Sequence, residues 1–191
     1  MTGWNLDTHH LRVLDSGLDE ARRRAGEGAA CRSGCFGCCL GPFPITQLDA
    51  DRLRRGLEQL RATSPGQAER IGLRAEEAMV ALREDFPGDW NTGLLDAGRD
   101  GELFSPLFQM VPCPALDLEH GACQLYVHRP VACRTYGFAV TVDDEPLTPC
   151  PLNYAGWPPE RIEPVRVVLP IPTDVSPPPG QTVVAAALRP R

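Results

Sequence analysis

Apolar residues recur every three or four positions along the first half of the chain, and charged residues fill the intervals. This spacing predicts three amphipathic helices, over about residues 7–25, 48–62 and 65–84. Thr46 and Asp49 have the spacing of a capping box before the second helix. Ser64 is the predicted N-cap of the third helix, because Pro65 follows it at the first helical position.

The pattern changes beyond Gly101, where prolines multiply and the predicted strands become short. Residues 119–121 predict a turn between two such strands. Pro130 is placed to begin a short helix that Gly137 closes. From Pro158 onward the chain is punctuated by proline, which favours an extended edge strand and a tail.

These patterns predict an α+β fold that is mainly helical. We expect helices in the N-terminal half, and short strands with irregular cysteine-rich loops in the C-terminal half. One cysteine-cluster metal-binding domain is predicted over residues 1–157, held together by its metal site. A proline-rich extended segment, packed on that domain or flexible, is predicted over residues 158–191.

Charge and composition exclude several classes of function. The net charge of -6 disfavours a nucleic-acid-binding protein, which needs a basic face. No run of about 18 apolar residues occurs, so no membrane span is expected. The 19 basic residues are all arginine, which is typical of a GC-rich bacterial genome and excludes chemistry that requires lysine. The first residues do not resemble a signal peptide, so we expect a cytoplasmic protein.

Eight cysteines in a reducing compartment indicate metal ligation or redox chemistry more than structural disulfides. Four of them lie in the stretch "CRSGCFGCC", with the spacing of one face of a helix, so a buried core stripe is an alternative. Gly34, Gly37 and Gly41 favour a loop that wraps around a cluster instead. The C-x3-C-x2-C spacing also occurs in radical S-adenosylmethionine enzymes, but the chain does not predict their barrel.

The adjacent pair Cys38 and Cys39 favours an iron–sulfur cluster or two metals, because neighbouring side chains are expected to diverge. The second half adds cysteines near Arg129 and Arg134, whose charges suit a site rich in thiolates. His120 and His128 are expected to be polar turn or strand residues. The predicted metal ligands are Cys31, Cys35, Cys38, Cys39, Cys113, Cys123, Cys133 and Cys150. The spacing leaves open whether they form one site or two.

The segments "CRSGCFGCCLGPFPIT", "CPALD", "GACQLYVHRPVACRTYG" and "CPLN" together resemble the YkgJ-type cysteine-cluster proteins, the zinc- or iron-chelating CxxCxxCC domain. The resemblance covers about residues 30–153 and departs from the family label in the C-x3-C spacing of the first two cysteines. It implies a bacterial protein that chelates metal through eight motif cysteines. A related region in the flagellin lysine methylase is similar in using an iron–sulfur cluster, but no methyl-donor site is predicted here.

We therefore expect a metal-binding protein that holds an iron–sulfur cluster, with 4Fe–4S as the expected type, in a redox or structural role. Zinc is the alternative metal. Arg129 and Arg134 are the predicted cofactor-binding residues. A zinc-stabilised interaction module and a cluster-dependent enzyme of unknown substrate are the alternative functions, so enzymatic activity stays open. The expected partners are metal ions and a redox or protein partner, without nucleic acid or membrane.

Overall fold

The structure is a computed structural model and describes residues 3–169 and 180–190. Its α-helices are α1 (Gly3–Ala25), α2 (Gln47–Thr63), α3 (Pro65–Ala81), α4 (Val131–Thr135), α5 (Pro159–Ile162) and α6 (Val184–Leu188). Its strands are β1 (Pro44–Thr46), β2 (Gly88–Asp89), β3 (Leu94–Leu95), β4 (Leu116–Asp117), β5 (Ala122–Cys123), β6 (Val140–Val142), β7 (Glu145–Pro146), β8 (Val167–Leu169) and β9 (Gln181–Val183). This arrangement confirms an α+β fold with helices mostly in the N-terminal half and short strands.

The predicted N-cap residue forms a capping box at α2 but makes no side-chain cap at α3. Thr46 and Asp49 form the predicted capping box: the Thr46 Oγ1 atom accepts the Asp49 N–H at 3.1 Å, and the Asp49 carboxylate accepts the Thr46 N–H at 3.3 Å. Ser64 precedes α3, but its side chain makes no capping hydrogen bond. The carbonyl of Ser64 instead accepts the N–H groups of Gln67 and Ala68. Helix α3 ends at Ala81, before the predicted end.

The chain divides into two compact units, each built from two stretches. Unit 1 comprises the described residues of Met1–Arg32 and Ala132–Ser176. In it, β6 pairs antiparallel with β7 and parallel with β8. Helix α1 lies against β8 at Gly17, where an added Cβ would lie only 2.6 Å from the Leu169 side chain. Glycine at this position therefore permits the close approach of helix and strand.

Unit 2 comprises the described residues of Ser33–Val131 and Pro177–Arg191. Helices α2, α3 and α6 pack together, and β1 pairs antiparallel with β9. The buried centre of this packing consists of Ile45, Ala50, Leu53, Leu57, Ala68, Ile71, Ala75, Ala115, Leu125, Val184, Ala187 and Leu188. Burial of these apolar side chains is the main stabilising term of the unit.

Two further sequence predictions concern the β4–β5 hairpin and the segment from Pro158 onward. The turn predicted at residues 119–121 lies between β4 and β5, which pair antiparallel, and this confirms the hairpin. The chain from Pro158 was expected to be extended, yet α5 and α6 are helical. Helix α6 reads "VAAAL", whose alanines have high helix propensity and whose apolar side chains are buried in unit 2. Residues 170–179 of that segment lie outside the described residues.

Within residues 3–169 and 180–190, none of the helices combines the length and the apolar character that crossing a membrane requires.

The two N-cap residues provide a matched test of the capping box. We expect Thr46→Ala to lower the free energy of unfolding by about 1 kcal/mol, because the Asp49 N–H loses its acceptor. Ser64→Ala removes a hydroxyl that makes no capping bond and should change that free energy by less than about 0.5 kcal/mol. Urea unfolding followed by circular dichroism measures both. An equal decrease in the free energy of unfolding in the two variants would contradict the capping box at Thr46.

Candidate metal centre

The eight cysteines divide between the two units. Unit 2 contains Cys35, Cys38, Cys39, Cys113 and Cys123, and unit 1 contains Cys31, Cys133 and Cys150. None of the eight forms a disulfide.

The first cysteines of unit 2 lie in a loop, as the glycines predicted. Gly34 and Gly41 adopt φ angles of 87° and 84°, a region that side chains rarely occupy. Between them, Gly37–Cys39 forms one turn of 3-10 helix. The alternative of a core stripe on an α-helix is therefore wrong, because the backbone is not α-helical there.

Backbone pairing brings this loop to the second group of cysteines in unit 2. The N–H of Cys113 donates to the carbonyl of Cys39 at 2.7 Å, and the N–H of Gly41 donates to the carbonyl of Val111 at 2.8 Å. The β-bridge between Leu40 and Pro112 lies between these bonds. Cys39 and Cys113 are thus neighbours on two paired segments, although they are far apart in the sequence.

The β4–β5 hairpin adds Cys123 to the same group. Cys123 pairs with Leu116, and the Leu116 N–H donates to the carbonyl of Cys113 at 2.9 Å. Cys113 and Cys123 both pack against the buried core of unit 2. We call Cys38, Cys39, Cys113 and Cys123 the four-thiol site.

The thiols of Cys38 and Cys39 hydrogen-bond to each other, and this bond is the main reason that the pKa of Cys38 falls to about 6. The positive charge of Arg129 lowers the pKa of Cys38 further, whereas burial opposes both effects. The expectation that these neighbouring side chains diverge is wrong, because the tight 3-10 turn brings the two sulfurs together.

Burial dominates at the other two thiols of the site. It raises the pKa of Cys113 to about 12 and also raises the pKa of Cys123. A thiolate at Cys123 would raise the pKa of Cys113, and one at Cys38 would raise the pKa of Cys123. These interactions link Cys38 to Cys123 and Cys123 to Cys113. The protein alone therefore disfavours several thiolates together, and a bound cation would supply the missing charge.

One group of candidate ligand atoms lies outside the cysteines. Among the described residues, no three cysteine sulfurs of one unit lie within 4.8 Å of one another. Asp117, Glu119 and His120 do come that close, at the turn of the β4–β5 hairpin. The His120 Nδ1 atom lies 2.9 Å from Asp117 Oδ2, so this contact belongs to the turn. His128 also has a structural position, since its ring lies against Gly56 on α2.

In unit 1, Asn153 organises the surroundings of Cys31. The amide Oδ1 atom accepts the N–H groups of Ala30 and Cys31 at 2.8 and 3.2 Å, and Nδ2 lies 3.3 Å from the Cys31 sulfur. Asn153 is buried and also donates to the carbonyl of Gly137. That carbonyl accepts the N–H of Cys150 at 3.2 Å. Cys31 and Cys150 are therefore held around Gly137.

The remaining predicted residues lie close to these cysteines in the chain. Cys133 lies on α4, beside Arg134, which is buried and donates to the Asp15 carboxylate at 2.6 Å. Arg129 stacks on the Tyr126 ring, 3.9 Å from its centroid, and its charge lowers the pKa of Cys38 and of Cys123.

Sequence reasoning missed Arg74 and Asn153. Arg74 donates from Nε to the Pro114 carbonyl at 2.8 Å and from Nη2 to Gln124 Oε1 at 2.7 Å. It lies far from every cysteine in the sequence and belongs to no motif. Asn153 does follow Cys150 within the quoted "CPLN", and this closeness was the available signal.

The donor set fits a thiophilic metal. Thiols converge from two paired segments and a hairpin, with cationic side chains close by. Sulfur is the ligand that zinc, iron–sulfur clusters and copper(I) share. Cys38, Cys39, Cys113 and Cys123 would hold the metal, which would supply the positive charge that buried thiolates require.

Comparisons with known proteins agree with this chemistry. The model of the CxxCxxCC family, described as "Putative zinc- or iron-chelating domain", matches residues 30–151. No curated protein and no solved structure matches the chain. The matched residues span more than half of the sequence and include the eight cysteines. The chain therefore belongs to the CxxCxxCC family of zinc- or iron-chelating domains.

Proposed function

We propose that this protein holds an iron–sulfur cluster at the four-thiol site, in a redox or structural role. The observation that carries the proposal is the convergence of Cys38, Cys39, Cys113 and Cys123 within unit 2. Membership of a zinc- or iron-chelating family supports metal binding. In this proposal the metal is part of the core of the unit, because Cys113 and Cys123 pack on that core.

The spacing of the sulfurs favours a cluster over a single ion. Zinc binds thiolates at about 2.3 Å, so a tetrahedral site needs sulfurs about 3.8 Å apart. No three sulfurs of one unit are within 4.8 Å of one another in the described chain. A cluster of several irons accepts thiolates that lie further apart, because each binds a different iron.

Zinc is the second candidate, and the hydrogen bond between Cys38 and Cys39 favours it. Two sulfurs within hydrogen-bond range are close enough to bind one ion. In this case the protein is a zinc-stabilised interaction module. Both candidates use the same thiols, so the metal itself distinguishes them.

The other predicted residues keep roles in the proposal. Cys31, Cys35, Cys133 and Cys150 are further ligand candidates, and Arg129 and Arg134 are proposed to compensate the charge of the thiolates. Eight cysteines without a disulfide support a reducing compartment, for which we propose the cytoplasm of a bacterium. An electron-transfer or other protein partner would complete a redox role.

Anaerobic purification followed by metal and acid-labile sulfide analysis tests the nature of the site. We expect a brown protein that contains iron and sulfide and has an absorption band that bleaches on reduction. A colourless protein with stoichiometric zinc would support the interaction module instead. Fewer than one metal ion per chain under these conditions would contradict metal binding.

Single substitutions test the ligands. We expect Cys38→Ser and Cys113→Ser each to lose most of the bound metal, because each removes one thiolate from the four-thiol site. Cys133→Ser should also lower the metal content if the unit 1 thiols act as ligands. Ala122→Ser places a hydroxyl at an exposed position of the same hairpin and serves as the control. Full metal content in both Cys38→Ser and Cys113→Ser would refute the assigned ligands.

A further inference from the structure

We infer that Arg74 is a positioning residue of the four-thiol site, which fixes the two segments that carry Cys113 and Cys123 and compensates the charge of a thiolate at Cys113. This inference rests on the proposed function. It adds a residue outside the cysteine motifs, on helix α3, to the parts of the site that metal binding requires.

The hydrogen bonds of Arg74 reach the residue that follows each of these two cysteines. Its Nε atom donates to the carbonyl of Pro114, and its Nη2 atom donates to the side chain of Gln124, at 2.8 and 2.7 Å. Pro114 follows Cys113, and Gln124 follows Cys123. One guanidinium group therefore connects α3 to both cysteine segments.

The segments that carry Cys113 and Cys123 are paired through their backbones, and Arg74 attaches this pair to α3. The N–H of Gln124 donates to the carbonyl of Ala115 at 2.8 Å, so the two segments are already paired. Their attachment to the rest of unit 2 involves the packing of Cys113 and Cys123 on the core and the bonds of Arg74. Helix α3 contributes Ile71 and Ala75 to that core, so the guanidinium is anchored on a buried helix.

The charge of Arg74 also acts on the site. The guanidinium lies close enough to Cys113 for a Coulombic attraction to a thiolate there. Asp117 and Glu77 also attract Arg74, whereas Arg70 repels it. A site of four thiolates carries excess negative charge, and a nearby fixed cation makes that charge less costly.

The planar guanidinium is suited to this double contact in a way that lysine is not. Its donors point in fixed directions, so two acceptors on different segments are held at one relative position. The ammonium group of lysine keeps the charge but lacks the rigid fork. Arg74→Lys therefore separates the charge of Arg74 from its geometry, and Arg74→Gln removes both the charge and the fork.

Binding of Co²⁺ to the metal-free full-length chain provides the test, since thiolate-to-cobalt absorption reports directly on bound sulfur. We expect Arg74→Gln to weaken Co²⁺ binding about 10- to 100-fold, the range for loss of a residue that orients metal ligands. The absorption per bound ion should fall as well, because a displaced segment withdraws its thiolate. Arg74→Lys should restore part of the affinity.

Arg70→Gln is the matched control, because it removes the same charge one helical turn away at an exposed position. It should bind Co²⁺ within about two-fold of the wild type. Circular dichroism of each metal-free variant shows whether the helices persist, and if Arg74→Gln is unfolded, Arg74→Lys alone decides. A merely structural role would lower the unfolding midpoint of the metal-free chain without changing the absorption per bound ion.

The outcomes separate this inference from the proposed function. A wild-type chain that binds no Co²⁺ and also contains no iron, sulfide or zinc after anaerobic purification would overturn both. If the wild type binds no Co²⁺ but contains iron and sulfide, the iron content of anaerobically purified Arg74→Gln decides, and a content equal to that of the wild type would overturn the role of Arg74. Strong Co²⁺ binding by the wild type together with equal affinity and equal absorption in folded Arg74→Gln would overturn the role of Arg74 and leave metal binding intact. If Arg74→Lys decides, wild-type affinity and absorption in that variant would overturn the positioning role.

Discussion

The pairing between the Cys39–Gly41 segment and the Val111–Cys113 segment is the interaction on which the thiol site depends. Its backbone hydrogen bonds place Cys39 and Cys113 side by side. The first cysteine loop also lies against the turn of the hairpin that carries Cys123, since a Cβ added at Gly121 would lie 2.9 Å from the backbone of Gly34. The core of α2, α3 and α6 stabilises the unit in which the pairing occurs.

Electrostatics and packing oppose each other at these thiols. Packing on the core favours neutral sulfur at Cys113, whereas a metal requires thiolate. Cationic side chains reduce the free-energy cost of a thiolate at these positions. Arg129 acts on Cys38, and Arg74 acts on Cys113. A bound metal would supply the remaining positive charge, and metal binding at these thiols would then be coupled to the folding of this unit.

Local chemistry explains which parts of the molecule could be predicted from the sequence. The capping box at Thr46 and the turn at 119–121 depend on residues close in the chain, and both are present. Ser64 has the right residue type, but its hydroxyl makes no capping bond. It also closes α2, and its backbone is not in the extended conformation that Thr46 adopts and that N-cap residues typically have.

Long-range features were not accessible in the same way. The number of cysteines predicts a metal site. The contacts of Arg74 with Pro114 and Gln124 depend instead on the position of α3 beside the hairpin, which the sequence does not indicate. Helix α6 was missed because prolines nearby suggested an extended chain, while burial of its alanine-rich face decides the conformation. The division into two units, each assembled from separate stretches, has no local signal at all.

The pairing of β1 with β9 has a consequence for the order in which unit 2 folds. β1 leads directly into α2, whereas its partner strand and α6 lie far along the chain, beyond Cys123. Helix α6 packs with α2 and α3, so the core of unit 2 is complete only after every cysteine of that unit has been synthesised. Until that core is complete, these cysteines depend on the reducing power of their surroundings to remain thiols.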